Sequence, residues 1–595
     1  MTAAIQIFYM RTGLVFSIAM FLSLSVCGQR YDFTWLTGYT TAIPPQQGDL
    51  DGISLLNFGN GNLESLELVN LDYDFTHNNS AFSDSSGNLI AFFNGIQVED
   101  ASYHIMENGQ EMDKYIVTGS HYRKYSDEFL PQGSIFLPWP AHPDSLFLIY
   151  GGKANYGSAA QVILGSLNLS YALIDLKGNN GLGKMVEREQ MLLEDTIGNG
   201  QITACKHANG RDWWVLIWEA DAARVYRFLV NPKGISSKGQ QTVDFPIYSG
   251  AGQTCFSPDG RFYAIYNGIS DAMGTYLNIF DFDRCLGLLS NQRQFHHPVG
   301  LYGGVSISPN SRFLYGNFQD TVFQYDLYDD DVIGSKKIVA IRDDYPYPKR
   351  FYLSQLAPDG KIYTSSTSGS RWLHIIHNPD EEGAACQYQQ RGLLLPTVNS
   401  YSVPNFPNYR LGPLDGSPCD TLGLDNIPKA WWRYDQDTLD PLLVRFHDLS
   451  YYEPAAWSWD FGDGSAGSSE RHPTHQFNST SAYQVCLTVD NPDGSDTHCK
   501  MLYLGVSGQN APISQRLVSV SPNPFGEHLN LVLDGQESND IRFLMYNWSG
   551  RLVLEAPVST GANELNTEAL PVGIYFWEVI LGNDKIGSGK LIRIK

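Results

Sequence analysis

The chain has 595 residues and a formal charge of −23, from 40 Lys and Arg residues against 63 Asp and Glu residues; an acidic chain without a basic patch repels nucleic acid and anionic membranes, so we expect no nucleic-acid partner. Its length is several times that of one domain and predicts three or four folded units. Its 13% of aromatic residues, with 56 Gly and 30 Pro residues, favours short strands and turns over long helices, so the predicted class is all-β.

An export signal peptide is predicted over residues 1–28. Arg11 precedes an apolar run from Leu14 to Val26 that is too short for a membrane helix, and a small-residue cleavage site follows it. The alternative is a lipoprotein signal with Cys27 as the lipidated residue, although the bulky side chain before it is unusual there. Since no later segment is apolar enough to span a bilayer, we predict an exported protein without a transmembrane segment.

A tight turn followed by an aromatic strand recurs through residues 29–412. The turn is of the Pro-Asp-Gly type, and the aromatic and β-branched residues after it form a strand. Three close copies follow one another at spacings of 51 and 49 residues, and three looser copies precede them. The six copies lie at residues 82–93, 141–150, 206–217, 256–266, 307–315 and 356–363. A unit of about fifty residues and four strands is typical of one propeller blade.

These units must close into a ring, because one blade alone cannot cover both of its apolar faces. We predict a β-propeller of seven blades, the seventh completed jointly by the segment at Phe33–Leu36 and by strands near Leu393–Leu395, with six and eight blades as alternatives. Residues 82–98 followed by 104–112 resemble the first blade of propellers in secreted proteins of the Bacteroidetes. The resemblance covers roughly residues 30–412 and implies the same fold.

Residues 413–427 are predicted to be a linker, and a second domain is predicted over residues 428–506. The linker is rich in Gly, Pro and Asp and has no strand-length apolar run. Beyond it, Val485, Leu487 and Val489 share one face of a strand. Seven or so short strands in this length indicate a β-sandwich.

A hexapeptide of the second domain combines aromatic, acidic and glycine residues. Its members are Trp459, Asp460, Phe461, Gly462, Asp463 and Gly464. We interpret it as structural, because the two aromatic residues alternate into a core while the acids and glycines form a turn. The alternatives are a paired-carboxylate acid/base site, which needs two different environments, and a calcium loop, which needs more than two acidic ligands.

The hexapeptide and the residues after it resemble the polycystic kidney disease (PKD) domain, an immunoglobulin-like sandwich. The resemblance continues through Pro473–His475, Phe477 and the strand Tyr483–Val489, and it covers about residues 428–506. It implies a spacer or binding module outside the cell.

One disulfide is predicted, between Cys486 and Cys499. These residues flank the turn at 491–494, and a hairpin centred on that turn places them opposite each other on two antiparallel strands. Oxidising surroundings outside the cell permit the bond. Loss of Cys27 with the signal leaves seven of the eight cysteines, so at least one thiol per monomer is unpaired.

Residues 507–515 are predicted to be a second linker, and residues 516–595 a small β-sandwich with strands of period two, such as 575–579. This sandwich resembles the type A sorting domain of the type IX secretion system. The residues of the sorting motif are Pro522, Asn523, Pro524, Gly573 and Tyr575. The resemblance implies the type IX secretion machinery as a partner, a secreted or outer cell-surface location, and removal of this domain after export. The alternative is one more structural domain.

The sequence offers no catalytic motif, so we predict no catalytic residue, no cofactor and no metal site. The close histidine pairs are His296–His297 and His374 with His377, and a spacing of three does not place two rings on one face of a strand. The acid-rich run at residues 325–333 is interpreted as a solvated loop rather than a cation site. Nucleophile elbows, metalloprotease motifs and phosphate loops do not occur.

We expect a secreted or cell-surface binding or adhesion protein rather than an enzyme. Its propeller would recognise a carbohydrate or a surface protein through aromatic and polar groups on one rim of the ring. The alternative is a secreted hydrolase or lyase that acts on polysaccharide or peptide in the propeller channel. A structural surface component linked to gliding motility would have the same domains.

Overall fold

The computed structural model describes residues 29–39, 52–59, 61–63, 65–69, 71, 73–112, 130–153, 166–270, 274–298, 300–343, 349–437, 439–504, 518–521, 525–533, 541–547, 551–559, 561–581 and 584–593. These residues form 39 β-strands and two short 3-10 helices, Asn179–Gly181 and Gly383–Cys386, with no α-helix among them. The predicted all-β class is confirmed. The predicted signal peptide lies outside the described residues.

Seven antiparallel sheets follow one another in the first region of the described chain. Sheet A contains β1 (Thr34–Tyr39), β2 (Gly52–Asn57) and β3 (Ser65–Val69), and sheet B contains β4 (Ser80–Ser83), β5 (Leu89–Phe93) and β6 (Val98–Asp100). Sheet C contains β7 (Ser134–Pro138), β8 (Ser145–Lys153), β9 (Ser166–Asp175) and β10 (Lys184–Ile197). Sheet D contains β11 (Thr203–Lys206), β12 (Trp213–Trp218), β13 (Ala222–Asn231) and β14 (Gly234–Ile247).

Three further sheets complete this region. Sheet E contains β15 (Ala251–Phe256), β16 (Phe262–Ser270), β17 (Gly274–Asp283) and β18 (Leu288–His297). Sheet F contains β19 (Gly303–Ile307), β20 (Phe313–Phe318), β21 (Thr321–Asp326) and β22 (Lys337–Ile341). Sheet G contains β23 (Phe351–Leu356), β24 (Ile362–Ser366), β25 (Ser370–Ile376) and β26 (Tyr388–Asn399). The strands of sheets C to G pair in chain order.

The recurring turns join the first and second strands of sheets B to G. In sheet E, Gly260 has a φ of +73°, and Ser257 Oγ accepts a hydrogen bond from the Phe262 N–H at 2.9 Å. In sheet F, Ser308 Oγ accepts the same bond from the Phe313 N–H at 2.8 Å. Because the first strands lie side by side around the ring, these turns share one face of it, which we call the turn face.

Each sheet packs against the next, and the last packs against the first. Sheets A, B and C are neighbours through β1, β4 and β7. Trp139 Nε1 of sheet C donates to the Asn231 carbonyl of sheet D at 3.0 Å. Ring contacts join Trp218 to Tyr263 (D and E), Tyr266 to Phe318 (E and F) and Tyr363 to Trp35 (G and A). Between sheets F and G, the Phe351 N–H donates to the Gln319 carbonyl at 2.7 Å. The propeller prediction is confirmed; that the ring has seven blades stays a prediction.

The prediction that one blade is shared between Phe33–Leu36 and Leu393–Leu395 is wrong. Phe33 directly precedes β1 of sheet A, whereas Leu393–Leu395 belongs to β26 of sheet G. Sheet G already has its four strands because β26 completes it. The two sheets meet through side chains instead: the hydroxyls of Ser54 and Thr397 are 2.7 Å apart, and Thr37 Oγ1 donates to Asn399 Oδ1 at 2.6 Å.

The second domain is a sandwich of two three-stranded sheets. One sheet contains β27 (Trp432–Gln436), β28 (Leu443–Asp448) and β30 (Thr474–Gln476), and the other contains β29 (Ala456–Asp460), β31 (Ala482–Asn491) and β32 (Gly494–Tyr503). The described residues thus form six strands here. Alternate residues of β31 are buried and face Trp432, Phe446 and Trp459 in one core, as the period-two pattern predicts.

The second domain lies directly against the turn face of the propeller. Residues 413–427, predicted to be a linker, are held to the ring by a disulfide between Cys285 and Cys419 and by the Leu414 N–H, which donates to the Ala208 carbonyl at 2.8 Å. Trp431 is buried in the apolar core of the propeller. The segment between the two domains is therefore a fixed part of the structure.

The C-terminal sandwich has a three-stranded and a four-stranded sheet in its described residues. The first contains β33 (Val518–Ser521), β34 (His528–Leu533) and β37 (Gly561–Asn566), and the second contains β35 (Ile541–Asn547), β36 (Leu552–Val558), β38 (Gly573–Leu581) and β39 (Asp584–Arg593). Ile574 and Ile592 pack against Ala101 and Leu182 of the propeller. This sandwich therefore contacts the side of the ring near sheets B and C.

Candidate functional site

The centre of the propeller is occupied by residues 400–410, which we call the axial segment. It follows β26 and begins beside sheet G, where Ser365 Oγ donates to the Tyr401 carbonyl at 2.6 Å. It ends at the turn face, where Tyr409 Oη donates to the Phe136 carbonyl of sheet C at 2.8 Å and Asn408 Nδ2 donates to the Pro258 carbonyl of sheet E at 2.7 Å. Contacts with sheets on all sides place the axial segment in the propeller channel.

Asn405 links the axial segment to several sheets through hydrogen bonds. Its side chain is buried, and its Nδ2 donates to the carbonyls of Ser134 at 2.8 Å and Ile202 at 2.9 Å. Its Oδ1 accepts a hydrogen bond from Gln132 Nε2 at 3.1 Å, and its backbone N–H donates to the Asn79 carbonyl at 2.8 Å. Asn405 therefore ties together the inner ends of sheets B, C and D.

Gln253 links neighbouring sheets by hydrogen bonds on the other side of the ring. Its Oε1 accepts hydrogen bonds from the N–H groups of Val305 at 3.2 Å and Ser354 at 2.8 Å, which joins sheets E, F and G. Gln253, a buried polar residue of the innermost strand β15, thus helps to hold the ring together.

Aromatic residues surround the point where the axial segment enters the channel, on the face opposite the turns. We call this set the mouth cluster; it consists of His77, Tyr302, Tyr352 and Tyr401. The His77 and Tyr401 rings are stacked at 4.5 Å, and the Tyr302 ring lies 5.5 Å from Tyr352 and 6.2 Å from Tyr401. Tyr302 and Tyr401 are half-buried and present part of their rings to solvent, whereas His77 and Tyr352 are buried beneath them.

The mouth cluster is held in a fixed geometry. Tyr401 has a φ of +65°, which is costly for a residue with a side chain and is found where surrounding contacts enforce it. Its N–H donates to the Ser366 carbonyl at 3.2 Å. Tyr266 Oη donates to the Tyr302 carbonyl at 3.2 Å, and a Cβ at Gly303 would lie 2.5 Å from that hydroxyl. The half-buried rings of Tyr302 and Tyr401 are therefore held in fixed positions.

A second aromatic group extends this face along sheet E. Tyr276, at the start of β17, lies 5.0 Å from Tyr248 and 4.6 Å from His296 by ring centroids. On the other side of the mouth, Arg350 is exposed and Lys349 Nζ donates to the Gly369 carbonyl at 2.8 Å. This face therefore combines aromatic rings with polar and basic groups.

His374 and His377 occupy different positions and have different partners. His374 is buried in β25, whereas His377 lies beyond the end of that strand. His374 Nδ1 accepts a hydrogen bond from the Arg391 N–H at 3.2 Å, and its Nε2 is 3.1 Å from Ser366 Oγ. No group of three or more His, Cys, Asp or Glu side chains arranged to hold a metal ion occurs among the described residues.

The folded protein keeps His374 neutral at mildly acidic pH. Burial, with the Arg391 charge as a smaller contribution, lowers the pKa of its imidazole to about 4, from about 6.5 in an unfolded chain. The unfolded chain therefore binds a proton there that the folded protein does not. The free energy of unfolding falls as the pH drops below about 6.5, and at pH 5 this histidine accounts for a loss of about 2 kcal/mol.

Urea unfolding at pH 8 and pH 5 tests this prediction. We expect His374→Gln to lose about 2 kcal/mol less than the wild type on acidification, because the other titrating groups are common to both proteins. Equal losses in the two proteins would contradict it.

The hexapeptide of the second domain forms a turn. Trp459 and Phe461 are buried in the sandwich core, while Gly462 and Gly464 have φ values of +71° and +78°. Asp460 Oδ1 accepts a hydrogen bond from the Gly462 N–H at 2.9 Å. Asp463 Oδ1 accepts one from the Ser465 N–H at 3.0 Å. Both carboxylates are thus used by the turn itself, which supports the structural interpretation.

Cys486 and Cys499 lie directly opposite each other on β31 and β32 and form a disulfide. A second disulfide joins Cys285 and Cys419. It was not predicted, because 134 residues separate the two cysteines and no local pattern links them. Cys205, Cys255 and Cys386 are free thiols among the described residues.

The sorting-motif residues fall into two groups. Pro522, Asn523 and Pro524 lie outside the described residues. Gly573 and Tyr575 lie in β38, where Tyr575 is buried and its Oη donates to the Pro571 carbonyl at 2.5 Å.

Two family profiles match the C-terminal third of the chain. The profile of the PKD domain matches residues 438–506, and the profile of the secretion system C-terminal sorting domain matches residues 519–595. The protein contains a PKD domain and a type IX sorting domain. The search of curated proteins returned no match.

Several solved structures are similar to parts of the chain. The PKD1 domain of the Vibrio cholerae metalloprotease PrtV is 28% identical over 13% of this chain and 95% of that one, with a TM-score of 0.12. A putative 6-phosphogluconolactonase from Bacteroides fragilis is 14% identical over 63% of this chain and 98% of that one, with a TM-score of 0.36. A Lactobacillus plantarum protein is 12% identical over 63% of this chain and 100% of that one, with a TM-score of 0.35.

The sorting domain establishes where the protein acts. It is a secreted or outer cell-surface protein, and the type IX secretion machinery is a partner. Within the described part of the chain, no helix has the length and hydrophobicity needed to cross a membrane.

Proposed function

We propose that this protein is a non-catalytic binding or adhesion protein whose propeller recognises a carbohydrate or a surface protein at the mouth cluster. The observation that carries the proposal is that the axial segment runs through the channel while Tyr302 and Tyr401 present fixed aromatic surfaces at its mouth. Aromatic rings bury much area at low cost in conformational entropy, so they are effective anchors in recognition surfaces.

The alternative, a secreted hydrolase or lyase with its site in the channel, gains no support from the axial contacts. At Asn405 these contacts are made by amide and carbonyl groups, and the charged residue at the end of the segment, Arg410, is paired with Asp32. Hydrolysis of a glycosidic or peptide bond generally requires converging acidic, histidine or nucleophilic groups.

The proposal divides the chain into a signal peptide at 1–28, a propeller at 29–412, a linker at 413–427, a PKD domain at 428–506, a linker at 507–515 and a sorting domain at 516–595. The sorting domain would be removed after export, and the remainder released or tethered at the surface. Because the PKD domain covers the turn face, the opposite face with the mouth cluster stays open to partners.

A glycan array and a pull-down from cell-surface extracts, both with the full chain, test the proposal. We expect wild-type protein to retain specific glycans or one surface protein, and Tyr302→Ala to lose at least tenfold in affinity. Tyr171→Ala, on β9 away from the mouth, is the matched control and should bind like the wild type. Absence of binding by the wild type, or equal binding by Tyr302→Ala, would overturn the proposal.

A further inference from the structure

A cavity of about 440 Å³, open to solvent on one side, lies between the propeller and the PKD domain. This volume is within the range of small-molecule binding sites, which often lie where two domains meet. Turns of sheets E, F and G form one wall, at Pro258, Pro309 and Pro358. The second wall is the PKD segment 451–457, and the third is the connecting chain around Gly412. The cavity is on the opposite side of the ring from the mouth cluster.

Rigid links hold these walls together. Arg410, at the end of the axial segment, forms a bidentate ion pair with Asp32 at 2.5 and 2.7 Å. Arg284 donates to the Lys206 carbonyl at 3.0 Å and also to the Gly412 carbonyl. The disulfide at Cys419 fixes the connecting chain to sheet E. A ligand would therefore enter a preformed site, with little ordering required on binding.

Positive and negative side chains balance in the lining. Four arginines and four carboxyl groups line the cavity: Arg261, Arg284, Arg410, Arg471, Asp32, Asp259, Asp448 and Glu453. A charged ligand would gain no net electrostatic attraction from this balanced lining and would lose its own hydration. A purely apolar ligand would remove water from the charged groups without replacing its hydrogen bonds. The lining therefore favours a neutral ligand with many hydrogen-bonding groups.

Two of these groups keep bonding capacity for a ligand. The closest nitrogen and oxygen of Arg261 and Asp259 are 3.6 Å apart, which is longer than a hydrogen bond, and the Arg261 side chain is largely exposed. Glu453 forms no ion pair within the described residues, and burial, followed by the nearby Asp415 carboxylate, raises the pKa of its carboxyl group. A carboxyl group without an ion-pair partner can accept hydrogen bonds from the hydroxyl groups of a ligand. A guanidinium group without a close partner can donate hydrogen bonds to them.

Three lining residues carry buried polar atoms without a hydrogen-bond partner among the described residues: Ser306 Oγ, Asn426 Oδ1 and Trp457 Nε1. Each such atom costs about 1–3 kcal/mol if it stays unsatisfied. Buried polar atoms are generally paired, so a ligand that bonds these three would be stabilised by them. Hydroxyl groups, which both donate and accept, can satisfy all three types of atom.

The PKD wall adds aromatic surface on a strained backbone. Tyr451 and Tyr452 pack edge to face at 4.9 Å, and Trp457 is half-buried beside them in the lining. Tyr452 and Glu453 have φ values of +65° and +54°, and Asn491 Nδ2 donates to their carbonyls at 3.1 and 3.3 Å. Such strain is retained where the surrounding structure requires a defined side-chain position.

We propose that this cavity is a second binding site and that it takes a short neutral saccharide. A sugar unites the required properties, since its hydroxyl groups match the polar atoms and balanced charges while its C–H face packs on an aromatic ring. The inference is independent of the mouth cluster and of what binds there. The exposed Arg261 marks the solvent side of the site, so the ligand is either a free oligosaccharide or the end of a polysaccharide chain.

Isothermal titration of the full chain with cellobiose, maltose, laminaribiose and N,N′-diacetylchitobiose tests the proposal, with glucosamine and glucuronic acid as charged comparisons. We expect one or more neutral disaccharides to bind and the charged sugars to bind at least tenfold more weakly. Trp457→Ala and Glu453→Gln should each weaken binding at least tenfold. Leu439→Ala, at an exposed site of the PKD domain, should leave it unchanged.

Failure of every neutral disaccharide to bind the wild type at millimolar concentration would overturn the proposal, as would unchanged binding by the folded Glu453→Gln protein. Because Glu453 is exposed, Glu453→Gln should fold, and it tests the proposal even if Trp457→Ala does not fold. Tyr302→Ala should bind the disaccharide normally, and a loss there would contradict two separate sites. Affinity electrophoresis in a gel that contains the matching polysaccharide distinguishes a free oligosaccharide from a polysaccharide chain end as the ligand. The gel retards the protein only if the site binds chain ends.

Discussion

Replacing Asn405 by alanine is expected to lower the free energy of unfolding by about 3–5 kcal/mol. The side chain makes three hydrogen bonds in the propeller channel, to Gln132, Ser134 and Ile202. Alanine would remove the donor to two buried carbonyl groups and the acceptor of one of the two hydrogen bonds that Gln132 Nε2 donates, at about 1–3 kcal/mol for each group left unsatisfied. The axial segment would also lose one of its points of attachment to sheets C and D, while the Tyr409 bond to the Phe136 carbonyl of sheet C would remain.

Urea unfolding monitored by tryptophan fluorescence measures this loss. Asn478→Ala, at an exposed position of the PKD domain, is the matched control and should shift stability by no more than about 0.5 kcal/mol. An Asn405→Ala protein as stable as this control would show that the axial segment does not help to hold the ring together.

Replacing Arg410 by alanine is the second substitution with a large expected effect. The Asp32 carboxylate is buried, and Arg410 is its bidentate partner at 2.5 and 2.7 Å. Removing one member of a buried ion pair leaves an uncompensated charge, which costs about 3–5 kcal/mol. Because the pair joins the first described residues of the chain to the end of the axial segment, its loss should also loosen the ring at that point.

The double variant Asp32→Asn with Arg410→Met separates charge from packing. It removes both charges, so at least half of the stability lost in Arg410→Ala should return. Lys177→Ala, which breaks an exposed ion pair with Asp144, should cost no more than about 1 kcal/mol. If the double variant is less stable than Arg410→Ala, the buried charge is not the origin of the effect.

The local patterns of the sequence predicted most of the fold. The Pro-Asp-Gly turns, as at Ser257–Gly260, specify hairpins through bonds between near neighbours, so they can be recognised without knowledge of the rest of the chain. The alternation of Val485, Leu487 and Val489 likewise indicates a half-buried strand from its own residues. The PKD and sorting domains were recognised from motifs in the same way.

What the sequence could not predict depends on contacts between distant residues. Residues 400–410 have no helical or strand period, and their role arises because several sheets that are distant in sequence bring their inner ends around them. The mouth cluster joins His77 to Tyr302 and Tyr401, which lie more than two hundred residues along the chain. The prediction of a shared seventh blade was wrong for the same reason, because no local sequence pattern indicates which remote strands pair.

The disulfide between Cys285 and Cys419 has a mechanical consequence for a molecule anchored through its C-terminal side under flow. A pulling force applied through the PKD domain reaches Cys419 before it reaches the axial segment. The disulfide then transmits this force to the hairpin of β17 and β18. The stretch of chain between the two cysteines, which includes residues 400–410, then carries no load. Shear would have to break a covalent bond before it could pull the core out of the ring.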